Sequence, residues 1–135
     1  IINLDETMEV RYSLFPMKQM LNEYEKSKSN PNQIMINPNN VYIGIMNSNG
    51  LNMTGGKMVD IGDFPTKAVK KEFNADYGGS AFLEFNCEFG KGYKYGQFVC
   101  LHKENVADAI ITFMSNDRKT HSELMDTPFH ALTFK

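Results

Sequence analysis

Cys100 and His102 are the two residues of this sequence whose types and spacing come closest to a catalytic pair. A thiol and an imidazole two residues apart on one strand face are separated by about 7 Å at the backbone. A working Cys-His nucleophile also needs a group that orients the imidazole and a site for the oxyanion, and the sequence designates neither. We therefore predict no catalytic residues and keep a small enzyme using Cys100 and His102 as a minor alternative.

The other histidines and the glycine-rich segment give no pattern for a metal or a cofactor. His121 and His130 are not spaced as His-x-x-x-His, and the two cysteines do not form Cys-x-x-Cys. Residues 55–58 (Gly-Gly-Lys-Met) lack the hydroxyl and the spacing of a phosphate-binding loop. We expect neither a metal site nor a small-molecule cofactor.

Basic and aromatic residues are interleaved in one short segment, which contains Lys91, Tyr93, Lys94 and Tyr95. Single-stranded RNA is bound by stacking its bases on aromatic faces while lysines meet the phosphates. The alternative interpretation is a solvated turn whose tyrosines pack on their neighbours. Glu84 and Glu88 lie close by in sequence and would repel phosphate.

Composition limits the class of protein. The chain has 135 residues, a net charge of −2 and a pI near 5.9, so any binding to nucleic acid must be local. No apolar run is long enough to cross a bilayer, and we expect no membrane association. Two cysteines are too few for a disulfide scaffold, which favours an intracellular location, nuclear or cytoplasmic.

The N-terminal part of the chain is predicted to be helical. Leu14, Met17, Leu21 and Tyr24 recur at helical spacing, which predicts an amphipathic helix over residues 14–28. The following residues, up to 40, are rich in Asn and Pro and predict a linker, with the Ile-Met-Ile run at 34–36 docked on the domain. We therefore divide the chain into an N-terminal helical extension and linker, 1–40, and a domain, 41–135.

That domain is predicted to be α+β. Asn-Gly at 49–50 is typical of a hairpin turn, and alternation from Ala81 to Phe89 predicts a half-buried strand. We predict strands at 41–46, 81–89, 97–102 and 129–134, and helices at 64–77 and 105–114; residues 51–61 could be a hairpin partner or a loop. This order is ferredoxin-like, β-α-β-β-α-β: a four-stranded antiparallel sheet, two backing helices and the extra N-terminal helix.

Two registers are possible for the central hairpin. If Cys87 were opposite Cys100, a disulfide would be possible, but Val99 and Leu101 would face solvent. A shift of one residue brings Val99 and Leu101 into the core beside Cys87 and Phe85 and moves Phe98, Cys100 and His102 to the opposite face. We prefer the shifted register, which leaves an open face that needs a partner.

These residues and elements resemble the RNA recognition motif over residues 41–135. Residues 41–46 (Val-Tyr-Ile-Gly-Ile-Met) are similar to the family's first-strand motif, with Ile45 in place of the usual Asn. Residues 94–101 are similar to its octapeptide at the first, fifth and sixth positions, and Gly96 stands where the family has an aromatic residue. Val69 to Phe73 resembles its first helix.

The resemblance implies an RNA-binding module that stacks single-stranded RNA on its sheet face. Tyr42 and Phe98 would then be the stacking residues, with Cys100 and His102 beside them and the Lys91–Tyr95 segment at the edge. The alternative is a protein-interaction module whose sheet face is covered by the N-terminal extension or by a protein partner.

Overall fold

The computed structural model describes residue 2 and residues 7–85, 88–118 and 126–135 of the chain. Within these residues the architecture is α+β, which confirms the predicted fold class. The centre is a five-stranded sheet, and a helix packs on each of its two faces.

The elements follow one another in a simple order. The strands are β1 (Met8–Pro16), β2 (Gly62–Asp63), β3 (Tyr77–Glu84), β4 (Tyr95–Lys103) and β5 (Ala107–Ser115). The helices are α1 (Lys18–Ser27), α2 (Val41–Thr54), α3 (Thr66–Phe73) and α4 (Asp126–Phe129). Short 3-10 helices lie at Pro38–Asn40 and Glu88–Gly90.

The strand order corrects the expected ferredoxin-like arrangement. The order is β1-β5-β4-β3-β2, and every neighbouring pair is antiparallel. The described part of the chain therefore has five strands instead of four, and β3, β4 and β5 form a meander whose described connections contain a short 3-10 helix but no α-helix.

The N-terminal segment contributes to this sheet. Met8 and Val10 are each 3% exposed, and β1 pairs with β5 along its whole length. The helix predicted over 14–28 is confirmed only from Lys18 onward, because Leu14 continues the period-two pattern of β1, which ends at Pro16. The predicted extension of residues 1–40 thus supplies an edge strand.

The strand predicted at 41–46 is wrong, since these residues begin α2. The helix packs Met46, Gly50 and Met53 onto the sheet, and this i, i+4, i+7 spacing outweighs the β-prone character of the segment. Asn-Gly at 49–50 forms no turn; Gly50 instead allows the Val59 side chain to approach the helix closely. The helix ends at Gly55, whose φ of 73° is left-handed.

The predictions for the middle of the chain are largely confirmed. The helix expected at 64–77 is α3, which buries Val69 and Phe73 and ends at Asn74 in the left-handed conformation. The strands expected at 81–89 and 97–102 correspond to β3 and β4 with shifted bounds.

The helix predicted over 105–114 and the strand predicted over 129–134 are both wrong. Residues 108–115 are buried throughout as β5, and a strand that is apolar on both faces shows no clear period. Asn105 lies in the β4–β5 turn with a φ of 61°, so it does not cap a helix. At the C-terminus, α4 ends at Phe129, and the Phe134 N–H donates to the Phe73 carbonyl at 2.9 Å.

Neither predicted register of the central hairpin is observed. Cys100 is opposite Gly79, and Phe98 is opposite Ala81, because the connection between β3 and β4 is longer than the expected turn. Cys87 lies outside the described residues. Val99 and Leu101 lie in the core as predicted and pack with α3, but the prediction that they share a face with Phe85 is wrong. Phe85 packs with Phe98 and Cys100 on the side of α2. We call these the α3 face and the α2 face.

Candidate functional site

The eight residues predicted to bind RNA fall into two groups in the structure. Phe98, Cys100 and His102 lie on the α2 face of β4, and Tyr42 lies above them on α2. Lys91, Tyr93, Lys94 and Tyr95 lie at the opposite end of β4, in or beside the loop that precedes it.

The three strand residues of the first group are buried and Tyr42 is half-buried, which corrects the expectation of an open sheet face. Phe98 and Cys100 are 0% exposed and His102 is 6% exposed. The physical reason is α2, which was expected to be a strand of the sheet and instead covers it. These residues do not present a stacking platform to a ligand.

His102 is the centre of a polar cluster at one end of the α2 face. Its Nδ1 lies 2.6 Å from Oδ1 of Asp108, the residue directly opposite it on β5. Both side chains are buried, and the two atoms lie within hydrogen-bond distance of each other. The Tyr42 ring stacks on the imidazole at a centroid distance of 4.4 Å. The contacts of His102 fix the position of the helix above it.

Tyr77 extends this cluster towards the edge of the sheet. Its ring lies 4.9 Å from that of Tyr42, and its hydroxyl donates to Oδ1 of Asp63 at 2.7 Å. Burial, followed by the hydrogen bond to Asp63, raises the pKa of Tyr77. Burial also raises the pKa of Tyr42. Both phenols are therefore neutral hydrogen-bonding groups at physiological pH.

Cys100 has the properties of a structural thiol. Burial, with a smaller contribution from Asp108, raises its pKa to about 12. An activated nucleophile requires the opposite, a thiolate stabilised at neutral pH. His102 makes its close contact with Asp108 instead of the thiol.

The start of α2 is fixed by a second pair of polar contacts. Asn39 Nδ2 donates to Oδ1 of Asn105 at 2.9 Å, and the Asn105 N–H donates to Oδ1 of Asn39 at 2.8 Å. This reciprocal pair joins the 3-10 helix before α2 to the β4–β5 turn. These contacts anchor α2 at its N-terminal end. The surface of α2 that faces away from the sheet, its outer surface, therefore belongs to an anchored helix.

That outer surface forms an apolar groove of about 680 Å³ beside β1. Its lining consists of Phe15, Ile36, Asn40, Val41, Ile43, Gly44, Ile45, Ser48 and Asn49. None of these side chains is charged, and residues 29–56 as a whole contain no charged residue and no histidine. We call this surface the α2 groove.

Isoleucines stand exposed in and near the α2 groove. Ile36 is 73% exposed and Ile43 is 53% exposed, and both line the groove. Ile34, which is 96% exposed, lies two residues before Ile36 in the irregular segment that leads to α2. Exposed apolar surface of this kind marks interaction sites.

The second predicted group, which we call the strand-end cluster, contains Lys91, Tyr93, Lys94 and Tyr95. Both lysines are exposed, both tyrosines are half-buried, and the Arg118 guanidinium lies 5.1 Å from the centre of the Tyr95 ring. Arg118 also pairs with Glu84 at 3.1 Å. Exposed Glu88 adds a further negative charge beside these cations, so the cluster is not strongly basic.

A small polar pocket of about 360 Å³ adjoins the strand-end cluster. Glu9, Lys91, Tyr93 and Asn116 are among its lining residues. A carboxylate and an ammonium group thus face the same space, which gives this pocket mixed charge.

Two parts of the site were missed from the sequence. Asp108 was overlooked because it was assigned to a helix, where it would not be opposite His102. The α2 groove was overlooked because residues 41–46 were assigned to the sheet. The available signal was the uncharged stretch at 29–56, which combines apolar residues with many asparagines.

Comparison with protein-family models, with curated proteins and with solved structures gives no match. In the part of the chain that the structure describes, no cluster of His, Cys, Asp and Glu could hold a metal ion. None of the helices in the described ranges is long and apolar enough to span a membrane.

Proposed function

We propose that this chain is a protein-interaction module that binds an uncharged, apolar segment in the α2 groove. The observation that carries the proposal is the groove itself, an exposed apolar surface without a charged side chain in its lining. Burying a charge there would leave it unpaired, so the bound segment must also be uncharged.

The anchoring of α2 supports this proposal. The stacking of Tyr42 on His102 and the Asn39–Asn105 pair hold the helix on the sheet. A groove that is already formed binds at a lower entropic cost than one that must be ordered by its ligand. The buried position of Phe98 and Cys100 also favours binding on α2 over binding on the sheet face.

The test is an array of fluorescent peptides of equal length, half of them uncharged and apolar and half carrying interspersed Lys and Asp. We expect the intact chain to bind uncharged peptides, and Ile43→Lys to weaken that binding about tenfold or more, because it places a charge in the groove. Phe82→Lys is the matched control, since Phe82 is 70% exposed on the α3 face. Equal binding by both variants, or no binding at all, would refute the proposal.

A second candidate is the binding of single-stranded RNA at the strand-end cluster. The observation that favours it is that Lys91 and Lys94 remain exposed beside Tyr93 and Tyr95. RNA would then contact the loop before β4 instead of the sheet face that the RNA recognition motif uses.

This candidate is tested by titrating fluorescent single-stranded RNA at two salt concentrations. We expect the double variant Lys91→Glu, Lys94→Glu to abolish any binding, because it removes both phosphate contacts and with them the salt dependence. RNA that does not bind the intact chain, or binds the variant equally, excludes this cluster as an RNA site.

A further inference from the structure

We infer that the segment bound in the α2 groove is the same surface of a second copy of this chain, giving a two-fold symmetric homodimer. This inference rests on the proposed function and names the partner for it. It draws on three properties of the described residues, which are the charge, the shape and the position of the groove.

The charge of the surface favours self-association. In a two-fold interface each patch meets its own copy, so a patch with one sign of charge repels itself. The α2 groove avoids this problem because residues 29–56 carry no charge, although Lys28 and Lys57 directly flank them. Two copies can therefore meet on this surface without bringing like charges of residues 29–56 together.

The shape of the surface also suits a second copy. A self-complementary interface needs a protrusion and a recess on the same patch. Ile34 and Ile36 provide the protrusion, since both are exposed whereas Met35 between them is half-buried. The recess is the α2 groove, which Gly44 lines without a side chain. The apolar run of one copy can therefore enter the groove of the other.

The position of the groove leaves room for a folded partner. Phe15, at the end of β1, forms one wall, and β1 is an edge strand of the sheet. The other lining residues belong to α2 and to the segment that leads to it, which contributes Ile36 and Asn40. A whole second chain can therefore approach from this side.

The experiment is sedimentation equilibrium of the intact chain over a series of concentrations. We expect a monomer–dimer equilibrium, and we expect Ile36→Lys and Ile43→Lys each to raise the dissociation constant about tenfold or more. Both side chains are more than half exposed, so circular dichroism and thermal unfolding of the dilute variants should match the parent chain. Phe82→Lys, on the other face, should dimerise like the parent chain.

Two results would overturn the inference. The first is a monomer at every concentration, and the second is a dimer that is unchanged by both isoleucine substitutions. The peptide array separates these failures from failure of the proposed function. If the chain is a monomer that still binds uncharged peptides, only the inference of self-association is refuted. If it is a monomer that binds no peptide, the proposed function is refuted as well.

Discussion

Phe98 and Phe82 lie on neighbouring strands, on opposite faces of the sheet, and differ in burial. Phe98 is 0% exposed beneath α2, and Phe82 is 70% exposed on the α3 face. Removing a buried phenylalanine ring leaves a cavity and costs about 3–5 kcal/mol. We therefore expect Phe98→Ala to lower the free energy of unfolding by that amount, and Phe82→Ala by less than about 1 kcal/mol.

Urea unfolding of the two variants, followed by circular dichroism, measures this difference. Equal effects would show that Phe98 is as accessible as Phe82 and that α2 does not cover the sheet. The comparison thus tests the correction to the predicted stacking platform.

The ionisation of the Cys100 thiol makes the free energy of unfolding depend on pH in the alkaline range. Its pKa rises from an ordinary value of 9.0 to about 12 through burial, so the folded chain retains a proton that the unfolded chain releases in this window. The stabilisation is complete below pH 9.0 and is lost as pH rises towards about 12. One retained proton corresponds to a slope of at most about 1.4 kcal/mol per pH unit.

Cys100→Ala removes this contribution while Tyr42 and Tyr77, whose pKa values are also raised, remain. We expect the stability of the variant to fall less steeply above pH 9.0 than that of the parent chain. Denaturant unfolding of both proteins at several alkaline pH values gives the two slopes. Parallel slopes would mean that the thiol ionises as readily in the folded chain as in the unfolded one.

At the scale of the element, α2 contains two glycines in different surroundings. Gly44 faces open space, whereas a Cβ on Gly50 would collide with Val59. Alanine is favoured over glycine inside a helix by about 1 kcal/mol. We expect Gly44→Ala to stabilise the chain by about 0.5–1 kcal/mol, and Gly50→Ala to lose this gain to the displacement of Val59.

Chemical denaturation at one low protein concentration ranks the two variants. If Gly50→Ala were as stabilising as Gly44→Ala, the Val59 side chain would not pack closely against α2 at Gly50. If Gly44→Ala were destabilising, the outer side of α2 would not be open.

The elements that could be predicted are those whose burial is one-sided. Alternation in β3 and the spacing of Val69 and Phe73 in α3 report a single buried face, so local pattern is sufficient. The sequence failed where burial is not one-sided in the pattern: β5 is buried on both faces, and α2 carries no charge on its exposed side to mark it. At these places tertiary contacts decide between helix and strand.

The candidate site, like the fold, could be predicted only where local pattern decides the structure. The face shared by Phe98, Cys100 and His102 followed from the alternation of β4, and the structure confirms it. The stacking of Tyr42 on His102 depends on how α2 crosses the sheet, which spacing along the chain does not encode. The Asp108 contact depends on the β4–β5 register in the same way.

At the scale of the whole molecule, the sheet is completed by residues distant in sequence. β1 pairs with β5, so Met8 is opposite Ser115 and Pro16 is opposite Ala107. Met8 and Val10 also belong to the apolar cluster on the α3 face. The first residues of the fold and the last strand of the meander therefore stabilise each other.

This pairing predicts the effect of removing residues 1–36. The truncated chain loses β1 and α1. Phe113 and Ile111 of β5 then lose the β1 residues opposite them, and β5 becomes the edge strand of the sheet. We expect no cooperative unfolding transition in urea, since a core of this size has a stability of only about 5–15 kcal/mol. An independent extension would instead leave a folded domain with a sharp transition.

Two substitutions in the intact chain test the same pairing without truncation. Val10→Asp buries a charge on β1 and is expected to destabilise by about 3 kcal/mol or more, because it places a carboxylate in an apolar cluster. Ser13→Asp is the matched control, since Ser13 is exposed on the same strand and the change should cost less than about 1 kcal/mol. Similar stabilities for the two variants, together with a folded truncated chain, would place β1 outside the core.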